Sequence, residues 1–222
     1  MLQLQNKKLF SFEMISCFFL CLFAVFVVFP LKFLVSSTTI YQTGGFVPFV
    51  SHYLYAADVC FLIGLLFVGL NFAFNKNHKF ELSSLEFDGN LLFLSAFFIF
   101  FSAVSVFFSI NLENSLFSLL RVFEFFILYL LLIFDLIHLR ALVLTFLGAI
   151  LASSIIGFAQ FVFQHSLGLK LLGESVVSNS MVGVAKLDVF NFKILRVYGT
   201  FAHPNIFSGF LAISLIFVYL FR

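Results

Sequence analysis

The chain has 222 residues, of which 63% are hydrophobic and only 10% are charged, and its formal net charge is +2. Soluble domains carry about 25% charged residues, so this composition excludes an ordinary soluble domain and indicates an integral membrane protein. The net charge is too small, and the basic residues are too scattered, for a protein that binds nucleic acid. We therefore expect the lipid bilayer as a partner and no nucleic acid.

Six apolar stretches are long enough to cross a hydrocarbon core of about 30 Å, which takes about 20 helical residues. The first follows Lys7 and Lys8 and is longer than a signal-peptide core, so we expect it to remain as an anchor. The sequence thus predicts an all-α fold, a polytopic bundle of transmembrane helices that forms a single domain over residues 1–222. The predicted spans are 12–35, 53–74, 91–110, 116–137, 141–163 and 204–221.

The basic residues of the short loops predict the orientation, because Lys and Arg accumulate on the cytoplasmic side of a membrane. The short connections at residues 36–52 and 111–115 contain neither Lys nor Arg. The N-terminus is therefore predicted to be cytoplasmic. The basic residues that lie on its side are Lys7, Lys8, Lys76, Lys79, Arg140 and Arg222.

The connection at residues 164–203 is then an extracytoplasmic loop, although it carries Lys170, Lys186, Lys193 and Arg196. Two explanations stay open at this point. A loop of this length can be translocated whatever its charge, or the charges hold an anionic ligand at the outer surface. Partial alternation of apolar and polar residues over 184–197 predicts a short β-hairpin on the outer membrane face.

The decapeptide RVYGTFAHPN, residues 196–205, stands between this loop and the last span. Gly199 permits a tight turn, and Pro204 suits the first turn of a helix, where no N–H donor is needed. The amides of that first turn are expected to face the side on which Arg196 lies, where they suit an anion. A guanidinium in this place has a natural partner in a lipid-linked phosphate.

Polar residues inside the predicted spans are further candidates, because such residues usually face a bundle interior or a watery cavity. Arg121 and Glu124 are three residues apart, which fits either a mutual ion pair or a Glu that orients Arg121 toward a ligand. Asp58 is either a first-turn carboxylate favoured by the helix dipole or a site residue. Gln160 and His165 are candidates to line the same cavity, with an interfacial position as the alternative for His165.

The signatures of soluble enzymes are missing from the sequence, including phosphate loops, zinc-protease motifs and serine-hydrolase elbows. The three cysteines lie in apolar runs without C-x-x-C spacing, so we expect no metal site and no cofactor. Ala149, Ser153 and Gly157 follow one another at four-residue spacing in the fifth span. Small residues at that spacing predict close packing in lipid, which places this span centrally in the bundle.

The chain resembles the N-terminal half of the O-antigen ligase and O-antigen polymerase superfamily of bacterial membrane glycosyltransferases. The resemblance rests on RVYGTFAHPNIFSGFL, in which Arg, Gly-Thr-Phe and His-Pro-Asn open a span in the order of the family. AQFVFQHSLGLKLLGES at 159–175 and GVAK at 183–186 support it, and YLYAADVCFLIGLL and SLFSLLR are more weakly similar. The similarity covers most of the chain, but only residues 196–205 are specific.

The resemblance implies transfer of a glycan from an undecaprenyl-pyrophosphate carrier to a saccharide acceptor. This reaction belongs to the synthesis of cell-surface polysaccharide or lipopolysaccharide at the outer face of the bacterial inner (cytoplasmic) membrane, and it is expected to need no metal. Arg196 is the first candidate to bind the pyrophosphate and Arg121 the second, and His203 suits a structural role at the helix start equally well. The candidate supporting residues are Glu124, His203, Asn205, Lys186, Gln160 and Asp58.

Members of that superfamily have more spans, and a second outer loop that supplies the His and Arg proposed to activate the acceptor lies beyond the motif. We therefore expect an N-terminal part of a larger enzyme, inactive alone and without a catalytic base of its own, unless a separate chain completes it. Ligase and polymerase share the motif, so the sequence does not distinguish them. Two other classes stay open. A transporter or flippase subunit predicts inverted repeats, which the sequence lacks, and the other class is a noncatalytic scaffold of an envelope assembly complex.

Overall fold

The computed structural model of the chain describes residues 2–36, 52–74, 89–189 and 192–221, and this part is mostly helical. Its α-helices are α1 (Leu2–Val28), α2 (Ala56–Phe74), α3 (Gly89–Val106), α4 (Leu112–Ile133), α5 (Leu139–Phe163) and α6 (Pro204–Leu220). Its strands form two pairs, β1 (Lys32–Ser36) with β2 (His52–Tyr55) and β3 (Lys186–Val189) with β4 (Phe192–Leu195). A short 3₁₀ helix covers Lys170–Leu172.

The helices α2 to α5 are long and apolar enough to cross a membrane, whereas the apolar part of α1 (Phe12–Val28) and α6 are shorter. A helix satisfies its own backbone hydrogen bonds, which is what a segment in hydrocarbon needs. Many of the outward side chains are large and apolar, for example Phe93 and Phe98 on α3 and Leu151 and Phe158 on α5. The fold therefore indicates a membrane protein, as the composition predicted.

Helix ends differ from the predicted spans where proline or a capping side chain intervenes. The first span was predicted to continue to residue 35, but α1 ends at Val28, because Pro30 lacks an N–H donor and disfavours helical geometry in the preceding residue. The predicted fourth span starts at residue 116, whereas α4 begins at Leu112. Asn111 caps that helix, since its Oδ1 accepts from the backbone N of Asn114 at 3.1 Å.

The chain divides into two compact units. Unit 1 comprises Met1–Cys17, Leu34–Leu54 and Gly64–Leu139, and therefore contains α3 and α4. Within it, α3 and α4 pack against each other. A shallow apolar groove of about 410 Å³ lies along this pair and is lined by residues such as Phe98 and Phe126.

Unit 2 comprises Phe18–Phe33, Tyr55–Ile63 and Arg140–Arg222, and contains α5, the β3–β4 hairpin and α6. Its main apolar cluster consists of Val28, Ala149, Ile150, Phe201 and Phe207, which come from α1, α5, α6 and the loop before α6. The end of α1 and the start of α6 therefore pack onto the same face of α5.

The stripe of small residues on α5 is buried, as its spacing predicted: Ala149, Ser153 and Gly157 all lie in the interior of unit 2. The closest neighbours of Gly157 are the loop before α6 and α6 itself. A Cβ added there would lie 2.5 Å from Cγ1 of Val197 and 3.3 Å from Cε1 of Phe207. Glycine therefore permits the approach of both segments to α5.

The hairpin predicted within residues 184–197 is confirmed. β3 and β4 are antiparallel, with Lys186 opposite Leu195 and Asp188 opposite Lys193. Leu195 is buried with Val177 and Tyr198 in a small cluster of its own. The side chain of Tyr198 also accepts a hydrogen bond at its hydroxyl from the backbone N of Ala185, at 2.8 Å. These contacts hold the hairpin to the segment that follows it.

Candidate functional site

The motif segment, residues 196–205, connects the hairpin to α6 and contains Arg196, the first candidate to bind the pyrophosphate. The guanidinium Nη2 of Arg196 donates to Oδ1 of Asn205 at 2.8 Å. The backbone N of Arg196 donates to the carbonyl oxygen of Ala185 at 3.1 Å. A guanidinium has five N–H donors, and Asn205 is the one side-chain partner that Arg196 has among the described residues. The remaining donors can serve an anion beside the N-terminus of α6.

His203 caps the N-terminus of α6, which confirms the structural role considered for it at the helix start. Its backbone is extended, with φ −150° and ψ 142°, and its Nδ1 accepts from the backbone N of Asn205 at 3.2 Å. Pro204 then takes the first helical position, where a missing N–H donor costs nothing. Accepting at Nδ1 leaves the proton of a neutral imidazole on Nε2, which makes that nitrogen a donor.

Gly199 forms the predicted turn and also meets α5 closely. Its φ of +59° is a left-handed conformation that favours glycine. A Cβ at this position would lie 2.7 Å from Oγ of Ser153 and 3.2 Å from Cε2 of Phe207. Both the backbone conformation and the space therefore require glycine here.

Gln160 of α5 holds this turn through four hydrogen bonds. Its Nε2 donates to Oε1 of Glu174 and to the carbonyl oxygen of Gly199, each at 2.8 Å. Its Oε1 accepts from the backbone N of Tyr198 at 3.2 Å and of Gly199 at 2.9 Å. The side chain is 0% exposed, and its two donors and two lone pairs are all used. Gln160 was expected to line a ligand cavity. In the structure it is buried, and its hydrogen bonds hold Tyr198 and Gly199 of the motif segment against α5; we call these bonds the clamp.

Thr200 continues this clamp toward α1. Its Oγ1 donates to the carbonyl oxygen of Val28 at 2.6 Å and lies 2.9 Å from Oγ of Ser153. The backbone N of Thr200 donates to the same Ser153 oxygen at 3.2 Å. The end of α1, the middle of α5 and the motif segment are thus joined by buried hydrogen bonds in unit 2.

Glu174 is a buried polar residue of this region that sequence reasoning missed. Its side chain accepts from the backbone N of Leu167 at 2.7 Å through Oε1 and of Leu169 at 2.6 Å through Oε2, besides the bond from Gln160. Only 6% of the residue is exposed. Three N–H donors compensate for the loss of water around the carboxylate. Its sequence signal is weak, because a lone Glu in a loop normally points into solvent.

A cavity of about 530 Å³ adjoins the motif segment in unit 2. Its wall includes Ala202 of the motif and Glu174, together with Lys32 from β1 and Lys170 from the 3₁₀ helix. Two basic side chains of the region after α1 and α5 therefore share one concave surface with the motif. Lys170 is one of the loop cations that the sequence offered as contacts for an anionic ligand, whereas Lys32 was not singled out from the sequence.

Arg121 and Glu124 form the predicted pair on α4 of unit 1. Nη1 of Arg121 lies 3.8 Å from Oε2 of Glu124, and Nη2 donates to the carbonyl oxygen of Tyr53 at 3.2 Å. The mutual ion pair is thus confirmed. It leaves open the prediction that Glu124 orients Arg121 toward a ligand.

The other candidates have local roles in the structure. Asp58 is in the first turn of α2, where its Oδ2 accepts from the backbone N of Tyr55 at 2.8 Å, as a helix-start carboxylate does. Lys186 donates from Nζ to the carbonyl oxygen of Met181 at 2.9 Å. His165 is exposed, and its Nδ1 lies 2.7 Å from the carbonyl oxygen of Ser166. Within the ranges that the structure describes, no group of three or more His, Cys, Asp or Glu is arranged to hold a metal ion.

Comparison of the chain with protein-family models, with curated proteins and with solved structures finds no match.

Proposed function

We propose that this chain forms part of a bacterial membrane glycosyltransferase of the O-antigen ligase or polymerase type. The reaction is the transfer of a glycan from an undecaprenyl-pyrophosphate carrier to a saccharide acceptor. The proposal combines the resemblance in residues 196–205 with the placement of one side chain. That side chain is Arg196, whose guanidinium is tied to Asn205 at the first turn of α6.

The proposed location is the inner (cytoplasmic) membrane, which the chain crosses about six times with its N-terminus in the cytoplasm. In this topology the loop at residues 164–203 is outside the cytoplasm, and so is the motif segment. Arg196 then lies where the pyrophosphate of a carrier lipid meets the water on the outer face. The distribution of Lys and Arg over the short loops supports this orientation.

The proposed glycan transfer requires a cation beside the pyrophosphate leaving group. An acceptor hydroxyl forms a bond to the anomeric carbon and passes its proton to a base, which the resemblance assigns to a second outer loop beyond the motif. The bond from that carbon to the pyrophosphate oxygen breaks and leaves its electron pair on the pyrophosphate. A preorganised guanidinium stabilises the growing negative charge, because its N–H donors match phosphate oxygens and need no rearrangement. Asn205 supplies the preorganisation by holding one N–H of Arg196.

Arg121 is the second proposed contact with the pyrophosphate. Its ion pair with Glu124 and its bond to Tyr53 fix the direction of the guanidinium on α4. A charged pair inside an apolar helix is costly to insert, which supports a functional reason for it. His203 and Asn205 are proposed to support Arg196 through the geometry of the helix start.

The test of this function is substitution of Arg196 in the cell that makes the protein. We expect Arg196→Ala to abolish the surface polysaccharide, and Arg196→Lys to restore little of it, because an ammonium lacks the planar fork of a guanidinium. The measurement is the amount and length of surface polysaccharide by gel electrophoresis, with the protein level followed by immunoblot.

Lys193→Ala is the matched control, since Lys193 is an exposed cation on the neighbouring strand β4. It should leave the polysaccharide unchanged. Normal polysaccharide in Arg196→Ala, at a normal protein level, would contradict the proposed role of this residue.

A further inference from the structure

Residues 167–174, which we call the leucine loop, follow α5 in unit 2 and have the sequence LGLKLLGE. Leu167 is 36% exposed, Leu171 is 89% exposed and Leu172 is 41% exposed. The last two belong to the short 3₁₀ helix Lys170–Leu172. Large apolar side chains that are exposed together mark a surface that contacts another molecule or a membrane.

The polar groups of the leucine loop are turned inward. The carboxylate of Glu174 accepts from the backbone N of Leu167 at 2.7 Å and from that of Leu169 at 2.6 Å. The backbone N of Leu172 donates to the carbonyl oxygen of Leu169 at 2.9 Å. Donors that are satisfied within the loop need no hydrogen bond from water, which is what a segment in contact with lipid requires.

Two contacts place this part of the chain beside the ends of apolar helices. Gly173 packs against Pro30, just after the end of α1, because a Cβ on Gly173 would lie 3.1 Å from Cδ of Pro30. Oγ of Ser175, the residue after the leucine loop, lies 3.4 Å from the carbonyl oxygen of Phe201, just before α6. The leucine loop therefore lies where apolar helices give way to polar segments, which is the level of the lipid head groups in a bilayer.

Exposed apolar surface reaches this level from two neighbouring elements. The last residues of α5 remain exposed, with Phe161 at 48%, Val162 at 57% and Phe163 at 59%. Phe33 of β1 is 68% exposed and lines the same concave surface as Leu171. The leucine loop thus continues an apolar surface that starts on a helix long enough to cross a membrane.

The charges of the leucine loop also fit a membrane interface. Its two ionisable residues are Lys170, which is exposed, and Glu174, which is buried. A lysine beside exposed leucines can lay its methylene stem along apolar surface and keep its ammonium group in the head-group layer. In an anionic leaflet the ammonium is also attracted to the membrane surface.

We propose that the leucine loop is embedded in the leaflet in which α1 and α5 end, with Leu171 and Leu172 among the first parts of the lipid chains and Lys170 at the head groups. The occupant of this surface is the bilayer itself. The proposal is independent of the proposed glycan transfer, because the depth of a loop in a membrane requires no reaction. Its consequence is a fixed height for the motif segment, since Glu174 joins the leucine loop to Gln160 of the clamp.

The experiment measures the depth of the leucine loop with a single tryptophan. The chain contains no Trp, and Leu171 is exposed, so Leu171→Trp adds a reporter without displacing packed side chains. The whole chain is reconstituted in phosphatidylcholine vesicles that contain lipids brominated either near the head group or near the chain end. We expect the shallow bromines to quench the reporter more strongly than the deep ones, and its emission to lie at shorter wavelength than that of N-acetyltryptophanamide in buffer.

Two references calibrate this measurement. Phe98→Trp in the middle of α3 is exposed on a helix long enough to cross a membrane, and deep bromines should quench it more strongly than shallow ones. N-acetyltryptophanamide in buffer gives the quenching by iodide that full contact with water produces. If iodide quenches the Leu171→Trp reporter equally and neither brominated lipid acts, the loop is in water and the proposal fails. Protection from iodide and from both lipids means that protein covers the loop, which also overturns it.

A second reporter shows whether the loop inserts without help from a tryptophan at residue 171. Leu172→Trp alone should be quenched by the shallow bromines. Adding Leu171→Asp should remove most of this quenching, because a carboxylate is costly to place among lipid chains. Adding Lys170→Arg instead keeps the charge and should leave the quenching unchanged, and circular dichroism verifies that the helices of each variant are formed. Equal quenching with and without Leu171→Asp would contradict the insertion of this side chain.

Discussion

The α3–α4 pair of unit 1 and the region around α5 in unit 2 use polar side chains in opposite ways. On α3, the hydroxyl of Ser102 donates to the carbonyl oxygen of Phe98 one turn earlier in the same helix, at 2.8 Å. On α5, Ser153 and Gln160 instead bond residues of the motif segment, 47 and 39 positions away in the sequence. The first arrangement makes a polar side chain compatible with lipid, whereas the second fixes one segment of chain against another.

This difference locates the part of the molecule in which small changes should matter. A hydroxyl that bonds its own helix can be removed without leaving another group unpaired in the interior. A buried amide that holds backbone groups of a distant loop leaves those groups without partners when it is lost. The region around α5 should therefore be sensitive to single substitutions, and the α3–α4 pair should tolerate them.

The largest effect is expected for Gln160→Leu. This change introduces an apolar side chain of similar size and removes the partners of the backbone N of Tyr198 and of both backbone groups of Gly199. Each buried group left unpaired costs about 1 to 3 kcal/mol, so the free energy of unfolding should fall by about 3 kcal/mol or more. The measurement is unfolding by sodium dodecyl sulfate in mixed micelles, followed by circular dichroism.

Ser154→Ala is the control on the same helix. The Ser154 hydroxyl donates to the carbonyl oxygen of Ile150 within α5, so its loss should change the free energy of unfolding by less than about 0.5 kcal/mol. Equal effects of the Gln160 and Ser154 changes would show that the hydrogen bonds from Gln160 to the motif segment contribute nothing to the free energy of unfolding.

Gly199→Ala is expected to have the next largest effect. The alanine must adopt a left-handed backbone conformation. Its Cβ would lie 2.7 Å from Oγ of Ser153, which is closer than such atoms can approach, and 3.2 Å from Cε2 of Phe207, which is a tight contact. Strain of this kind costs about 1 to 3 kcal/mol. Stability should fall by that amount in the same unfolding measurement, and the turn should shift away from α5.

Gly209→Ala provides the matched comparison, because a Cβ on that glycine of α6 would meet nothing within 4 Å. Alanine is favoured over glycine in a helix by up to about 1 kcal/mol, so this variant should be as stable as the original chain or more stable. Destabilisation of both variants by the same amount would contradict the close approach at Gly199.

Sequence rules predicted the local features of this region correctly, because those features depend on neighbouring residues. A turn at Gly199 and a helix start at Pro204 follow from backbone geometry alone, and both occur. The burial of Ser153 followed from the spacing of small residues on α5. The predicted end of the first span at residue 35 was wrong, because α1 ends at Val28. Pro30 restricts the residue before it, and this signal was present in the sequence.

The contacts that hold the motif segment in place could not be predicted from the sequence, because they join residues that are far apart in the chain. Gln160 and Glu174 meet only because α5 and the following loop fold onto the motif, and nothing in their own surroundings specifies that meeting. The cavity with Lys32 and Lys170 likewise joins residues far apart in the chain. The pairing of Arg121 with Glu124 could be predicted, since three-residue spacing brings them together on one helix.

A smaller effect is expected for Asn205→Ala, which separates the support of Arg196 from the guanidinium itself. The variant loses the 2.8 Å bond to Arg196 but keeps the positive charge. We expect the surface polysaccharide to be reduced and the loss to be less complete than in Arg196→Ala. The stability should change by only about 1 kcal/mol, because one hydrogen bond at an exposed position is removed. A complete loss of polysaccharide, with normal protein level, would instead assign Asn205 a direct role in the reaction.

The smallest effect belongs to Ser102→Ala in unit 1. Among the residues that the structure describes, the hydroxyl of Ser102 bonds the carbonyl oxygen of Phe98, which also serves the helix backbone of α3. Alanine has a higher helix propensity than serine, and this gain offsets the lost bond. The free energy of unfolding should therefore change by less than about 0.5 kcal/mol. A loss comparable to that of Gln160→Leu would mean that the hydroxyl of Ser102 holds a second segment of chain, and the contrast between the two regions would then disappear.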